Sequence, residues 1–194
     1  MKNVTLFSLI LFSQFAFAVG KKVDLSKTLF CSNKEMLSVE KDENASKIDR
    51  IVVQKKYRKL YLMNQNKIVK SYDIAMGPNW NKGPKQFQGD NKTPEGLYEV
   101  ELKNPKSSYY LALRVSYPNK ADVQFAEDNG RPAGGDIMIH GFPVKPVADL
   151  IPGVVKDQHP MVNWTQGCMA VSDREIEEIF SLVDVKTTIE ICPL

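Results

Sequence analysis

Long apolar runs are scarce in this chain: one stretch, Val4 to Phe17, stands near the start, and nothing after it is long enough to cross a bilayer as a helix. An excess of one charge is also missing. Lysine and arginine number 26 against 23 aspartate and glutamate, a net charge of +3, so neither a nucleic-acid surface nor any other polyanion-binding face follows from charge. Histidine occurs twice and cysteine three times, without the C-x-x-C or H-x-x-x-H spacing of a zinc site. The G-x-S-x-G elbow, the P-loop and the dinucleotide fingerprint G-x-G-x-x-G are absent, so no serine hydrolase or nucleotide-binding reading is supported and neither cofactor nor metal is expected. No repeat or low-complexity tract occurs.

The apolar stretch that is there follows Lys2 and ends in Ala16-Phe17-Ala18, the layout of a secretory signal peptide with an A-x-A cleavage site. Residues 1–18 are expected to be removed, with the mature chain starting near Val19 and working in the periplasm or cell envelope without a membrane span. What remains suffices for one domain. Three cysteines in an exported chain leave at least one thiol unpaired, metal-bound or joined to another molecule. Cys31 and Cys192 could tie an N-terminal arm to the last strand in an oxidising compartment.

Residues 19–48 form that arm, polar and charge-rich from Lys21 to Lys47, with room for one short helix. From Ile51 the texture turns to strands: IVVQKKYRKLYLM, a turn at Asn64 to Lys67, then IVKSYDIAMG, which predicts a hairpin. Gly77 to Gly96, rich in Gly, Pro, Asn and Lys, predicts a long functional or mobile loop. Strands follow at Leu97 to Lys103 and Tyr109 to Tyr117, and a short helix between the N-cap Asn119 and Gly130. Asp136 to Gly141 reads as an apolar strand that delivers a histidine at its end. Phe142 to Asn163, interrupted by four prolines, is expected to form a lid-like insertion with a helical turn near Val147 to Leu150. Ser172-Asp173-Arg174-Glu175 is a capping box, and Ile176, Ile179, Phe180 and Val183 behind it lie on one helical face. Thr187 to Ile191 closes the chain as a strand. Many strands and few helices predict a mainly β, antiparallel fold with peripheral helices, of the α+β class.

Two side chains could carry chemistry together. Cys168, in Trp164-Thr165-Gln166-Gly167-Cys168-Met169-Ala170, stands shortly before the capped helix, whose positive end should lower a thiol pKa that starts near ~8.5. Gly167 allows close approach of a substrate to the backbone, and amides around Cys168 could point at an oxyanion. A buried structural or disulfide-bonded cysteine is the other reading. His140, at a strand end before Gly141, could act as the base that takes the thiol proton and returns it to the leaving group; a strand-end histidine bonded to a carbonyl is the alternative. His159, beside Pro160 in a loop, reads as a surface residue. Tyr109, Tyr110 and Tyr117 read mainly as sheet packing, Asp136 as a support for the local backbone or for His140, and Trp164 as a pocket wall.

The run IMIHG followed after a loop by WTQGCMAVSDREIEEI resembles the catalytic signature of the L,D-transpeptidase (YkuD-domain) family, in which His-Gly precedes Ser/Thr-x-Gly-Cys. DRIVVQKKYRKLYLM, GPKQFQGDNKTPEGLYEV, SYPN and GGDIMIHG extend the likeness over roughly Asp49 to Ile191. The resemblance implies a catalytic domain at 49–194 with the insertion at 142–163, folded as a β-sandwich or partly open barrel. It implies Cys168 as acylated nucleophile and His140 as base, with Gly167, Gly141 and Asp136 as oxyanion or supporting groups. Trp164, Thr165, Gln166 and Tyr117 are then expected at the substrate. The implied activity is acyl transfer on peptidoglycan stem peptides: attack on the amide after the third residue, release of D-alanine, and passage of the acyl group to an amine, of the wall or of an envelope protein, or to water as in a carboxypeptidase or amidase. The chain departs from many members at Gln166, where they carry His, and at Ala170, where they carry Arg or Asn. A wall-binding module without turnover, or a cysteine protease of general proteins, would be separated from this reading by acylation with a carbapenem-type reagent and by substrate choice.

Overall fold

The computed structural model describes residues 31, 40–42, 46–145, 147, 151, 153 and 156–194. The signal peptide expected at 1–18, the start near Val19 and the short helix of the arm lie outside these residues, as does most of the helical turn expected near Val147 to Leu150. The strands are β1 Arg50–Gln54, β2 Lys59–Asn64, β3 Lys67–Asp73, β4 Gly96–Ser107, β5 Tyr110–Val115, β6 Met138–His140, β7 Met169–Ala170 and β8 Thr188–Cys192, with helices α1 Lys120–Asp128 and α2 Asp173–Leu182. One sheet takes all eight strands in the order β3-β2-β1-β8-β4-β5-β6-β7. No helix among the described residues is long and apolar enough to cross a membrane.

The hairpin around Gln65 and Asn66 forms as expected, both residues adopting positive φ as a tight two-residue turn demands. The apolar run before it is two strands rather than one. It folds back at a 3-10 turn, Lys55–Tyr57, where Arg58 adopts φ 51. No glycine or asparagine marks that reversal. Tertiary bonds hold it instead: the buried Lys55 Nζ donates to Glu95 Oε1 at 2.6 Å and to the carbonyls of Gly83 and Thr93 at 3.1 and 3.3 Å. The same bonds draw the long 77–96 loop against the sheet.

The expectation of antiparallel pairing is corrected at two places. β8 runs parallel to β1 and β7 parallel to β6, because β8 and β7 each arrive by a connection that crosses back over the sheet. The sheet also curls until its two ends meet. Ala75, just beyond edge strand β3, exchanges two 2.8 Å hydrogen bonds with Ala170 on the opposite edge strand β7. The Met76 carbonyl adds a bond from the Thr165 amide at 3.1 Å. This is the partly open barrel that the resemblance implied.

Both helices start where the sequence places them. Asn119 caps α1 with Asp122 as its reciprocal partner, and Ser172 caps α2 with Glu175. Ile176, Ile179 and Val183 of the α2 face are fully buried in the main core, each contributing about 1.5–3 kcal/mol of burial. Cys31 and Cys192 form a disulfide with Cα atoms 5.0 Å apart, and the Cys31 amide donates to the buried Glu190 at 2.7 Å. Cys168 is the free thiol. Thiol titration of the denatured, unreduced protein should therefore find one thiol, where three would refute the bridge. With the two cysteines 161 positions apart in the chain, the chain-entropy view assigns the bridge about 5 kcal/mol, so Cys31→Ser should lower the unfolding midpoint in urea.

Candidate active site

Cys168 is set by a turn and a strand. Thr165 Oγ1 donates to the Cys168 carbonyl at 2.7 Å and accepts the Gly167 amide at 3.2 Å, while Thr93 Oγ1 holds the Gly167 carbonyl at 3.0 Å. Gly167 adopts φ 128, and a Cβ there would stand 2.5 Å from the Lys92 carbonyl oxygen, so only glycine fits. The parallel pairing of β7 with β6 then brings the sulfur beside Met138. Its Sγ accepts the Met138 amide at 3.4 Å and donates to the Asp136 carbonyl at 3.4 Å.

His140 lies two residues beyond Met138, on the same face of β6, and is buried. Its Nδ1 is 2.7 Å from the Gly141 carbonyl, which can only accept, so the proton sits on Nδ1 and Nε2 carries the lone pair. Tyr109 packs on the imidazole at 4.5 Å between ring centroids, and Trp164 presents to it edge-on at 5.7 Å. Burial pushes the imidazole down to about 4, against a raising influence of the Gly141 bond, so the ring is neutral at pH 7.

Burial likewise pushes the Cys168 thiol up to about 11, opposed by the Met138 amide and Lys85 and reinforced by Asp136. The expected lowering by the helix is thus overturned. α2 begins only at Asp173, with β7 between, and a macrodipole acts over a single turn. Thiol and neutral imidazole line one cavity of about 620 Å³. Such a pair stores no ion pair, and a thiolate arises there only as the proton leaves.

The remaining expected site residues divide. Trp164, Thr165, Gln166 and Asp136 line the cavity. Gln166 is exposed there, whereas Thr165 is buried and both bonds of its hydroxyl serve the turn. Asp136, at φ 55, contributes its carbonyl to the sulfur; its own carboxylate is 80% exposed and approaches Arg114 at 3.4 Å. Gly141 acts through its carbonyl on His140, and its amide donates to the Tyr109 carbonyl at 3.1 Å. Tyr117 is corrected: it is buried, its hydroxyl donates to the Ala133 carbonyl at 3.0 Å, and it packs on Tyr98 outside the cavity lining. The tyrosine that lines the cavity is Tyr109. His159 is also corrected, being half-buried with both ring nitrogens bonded.

Residues 48–191 match the sequence profile of the L,D-transpeptidase catalytic domain, YkuD. The chain belongs to that family. Among L,D-transpeptidase relatives, the "Putative L,D-transpeptidase YafK" of Escherichia coli (strain K12) is 34% identical over 103 residues, 52% of this chain and 32% of its own length. The crystal structure of the helical cell shape determining protein Pgp2 (K307A mutant) from Campylobacter jejuni superposes with a TM-score of 0.52 at 28% identity, over 74% of this chain and 46% of that one. Bd1075 of Bdellovibrio bacteriovorus gives 0.49 at 26% identity, over 79% and 50%. The chain thus spans half or less of the length of each of these relatives.

A thiol near 11 predicts slow alkylation at neutral pH. The rate of Cys168 modification by iodoacetamide should climb roughly tenfold per pH unit from 7 toward 11, and a plateau reached by pH 8 would contradict the protonated resting state.

Proposed function

We propose that the protein is an exported cysteine acyltransferase of peptidoglycan stem peptides, with Cys168 as nucleophile and His140 as general base. The observation that carries this is the thiol and the neutral, Nδ1-protonated imidazole lining one cavity in an L,D-transpeptidase domain. Nε2 of His140 takes the thiol proton as Sγ attacks the carbonyl carbon after the third stem residue. The amide of Cys168 receives the developing oxyanion; that of Gly167 is already bonded to Thr165. Collapse breaks the C–N bond, and His140 gives its proton to the departing D-alanine nitrogen, leaving a thioester on Cys168.

In the second half an amine attacks the thioester, His140 takes its proton, and the sulfur leaves as thiol. That amine belongs to a second stem peptide or to an envelope protein. Trp164 and Gln166 border the entering peptide. The Cys31–Cys192 disulfide suits an oxidising periplasm or cell envelope, where such substrates are found. Likeness to Pgp2, a helical cell shape determining protein, supports a part in remodelling the wall.

Digestion of purified sacculi tests the reading. Protein carrying Cys168→Ala should lose all muropeptide changes that the unaltered protein makes, a fall in kcat of at least about a thousandfold for loss of a covalent nucleophile. New cross-linked or adduct masses mark transfer, and shortened stems without adducts mark hydrolysis by water instead. Retention of product by the Cys168→Ala protein would refute the nucleophile.

A further inference from the structure

His159 belongs to no part of the mechanism above, yet it is bonded at both ring nitrogens and touches the base along two routes. Nε2 lies 2.6 Å from the Val171 carbonyl, and Nδ1 lies 3.1 Å from Trp164 Nε1. The Val171 amide in turn donates to the His140 carbonyl at 2.9 Å, and Trp164 meets the His140 ring edge-on. Phe142 closes the cluster from the other side, 5.4 Å from His159 and 6.2 Å from Trp164. Only one protonation state satisfies both bonds. A carbonyl needs a donor, so the proton is on Nε2; the indole N–H needs an acceptor, so Nδ1 must be bare.

We propose that His159 is a positioning residue that fixes the plane of the His140 imidazole, through the Trp164 ring and the Val171 peptide. The proposal rests on His140 being the base. A second proton on His159 would set Nδ1–H against the indole N–H, release Trp164, and remove the edge contact that holds the base on one side. The charges facing His159 are Asp173 and Glu175, which favour that proton, and Lys156, which opposes it; a proton on His159 would in turn disfavour one on His140. Asp173 is already engaged by the Phe142 amide at 2.8 Å and by Lys156 Nζ at 2.6 Å, and Glu175 by the Ser172 cap. Burial outweighs them and holds the ring below its ordinary pKa, hence neutral and bonded at pH 7.

The test has two arms. In the first, indole emission of the Cys168→Ala protein is followed from pH 8 to pH 4; a red shift on acidification is expected, and it should vanish when His159→Gln is added, since an amide keeps one donor and one acceptor but does not titrate. In the second, kcat is measured on muropeptides across the same range. His159→Phe, which keeps the ring and loses both hydrogen bonds, should lower kcat roughly ten- to a hundredfold with KM little changed, as expected for a misaligned base. His159→Gln should recover most of that loss and remove one ionisation from the acid limb. His159→Phe with the kcat and acid limb of the unaltered protein would overturn the proposal, as would an emission titration that His159→Gln leaves unchanged. Should His159→Phe not fold, the glutamine variant and the titration still decide. The emission arm needs no turnover, so it gives its answer even if Cys168→Ala retains activity and the proposed reaction fails.

Discussion

Two residues of β6 pairing with two of β7 is the constraint from which the site follows. That short parallel ladder, Ile139 opposite Met169 and His140 opposite Ala170, places the sulfur one step before the pair and against the Met138 amide. Met138 and His140 then share a face by the two-residue period of a strand. Strands this short do not persist alone. β7 is gripped on its other side by Ala75, so the closing of the sheet and the placing of the nucleophile are one event. The Gly77 to Gly96 loop finishes the work: Lys55 and Glu95 draw it onto the sheet, and Thr93 seats Gly167.

Electrostatics at the site work by exclusion of water rather than by attraction between charges. Burial moves the two groups apart, the imidazole to about 4 and the thiol to about 11, so both rest neutral. A resting thiolate invites oxidation and mixed disulfides. A thiol held neutral by its surroundings is sheltered from that chemistry. The other two cysteines are joined to each other and cannot compete for it.

Local rules made much of this legible in the sequence. Both helix starts were marked by side chains that cap free amides, and the turn at Gln65 and Asn66 by an asparagine suited to positive φ. Residue type and order single out Cys168 and His140, and both line the cavity. The failures share a cause, which is that they depend on partners distant in the chain. The reversal at Lys55 to Arg58 is fixed by Glu95, not by its own residues. The thiol shift comes from the packing around the sulfur, which no spacing encodes, and the helix argument failed because two residues of strand intervene. Tyr117 was placed at the substrate by its motif, yet its hydroxyl is satisfied by Ala133 in the interior. His159 was set aside because its bonds run to an indole and a carbonyl, partners that leave no motif.

β8 lies in mid-sheet between β1 and β4, pairing Arg50 with Thr188 across most of the sequence. Halves of the sheet on either side of it therefore cannot join until that segment is available. Topologies dominated by such distant pairings fold slowly, on the order of milliseconds to seconds. During that interval β1 and β4 present open edges, and an open strand edge is a template for another chain. Exposure of those two edges to pairing with another chain therefore ends only when β8 is inserted between them.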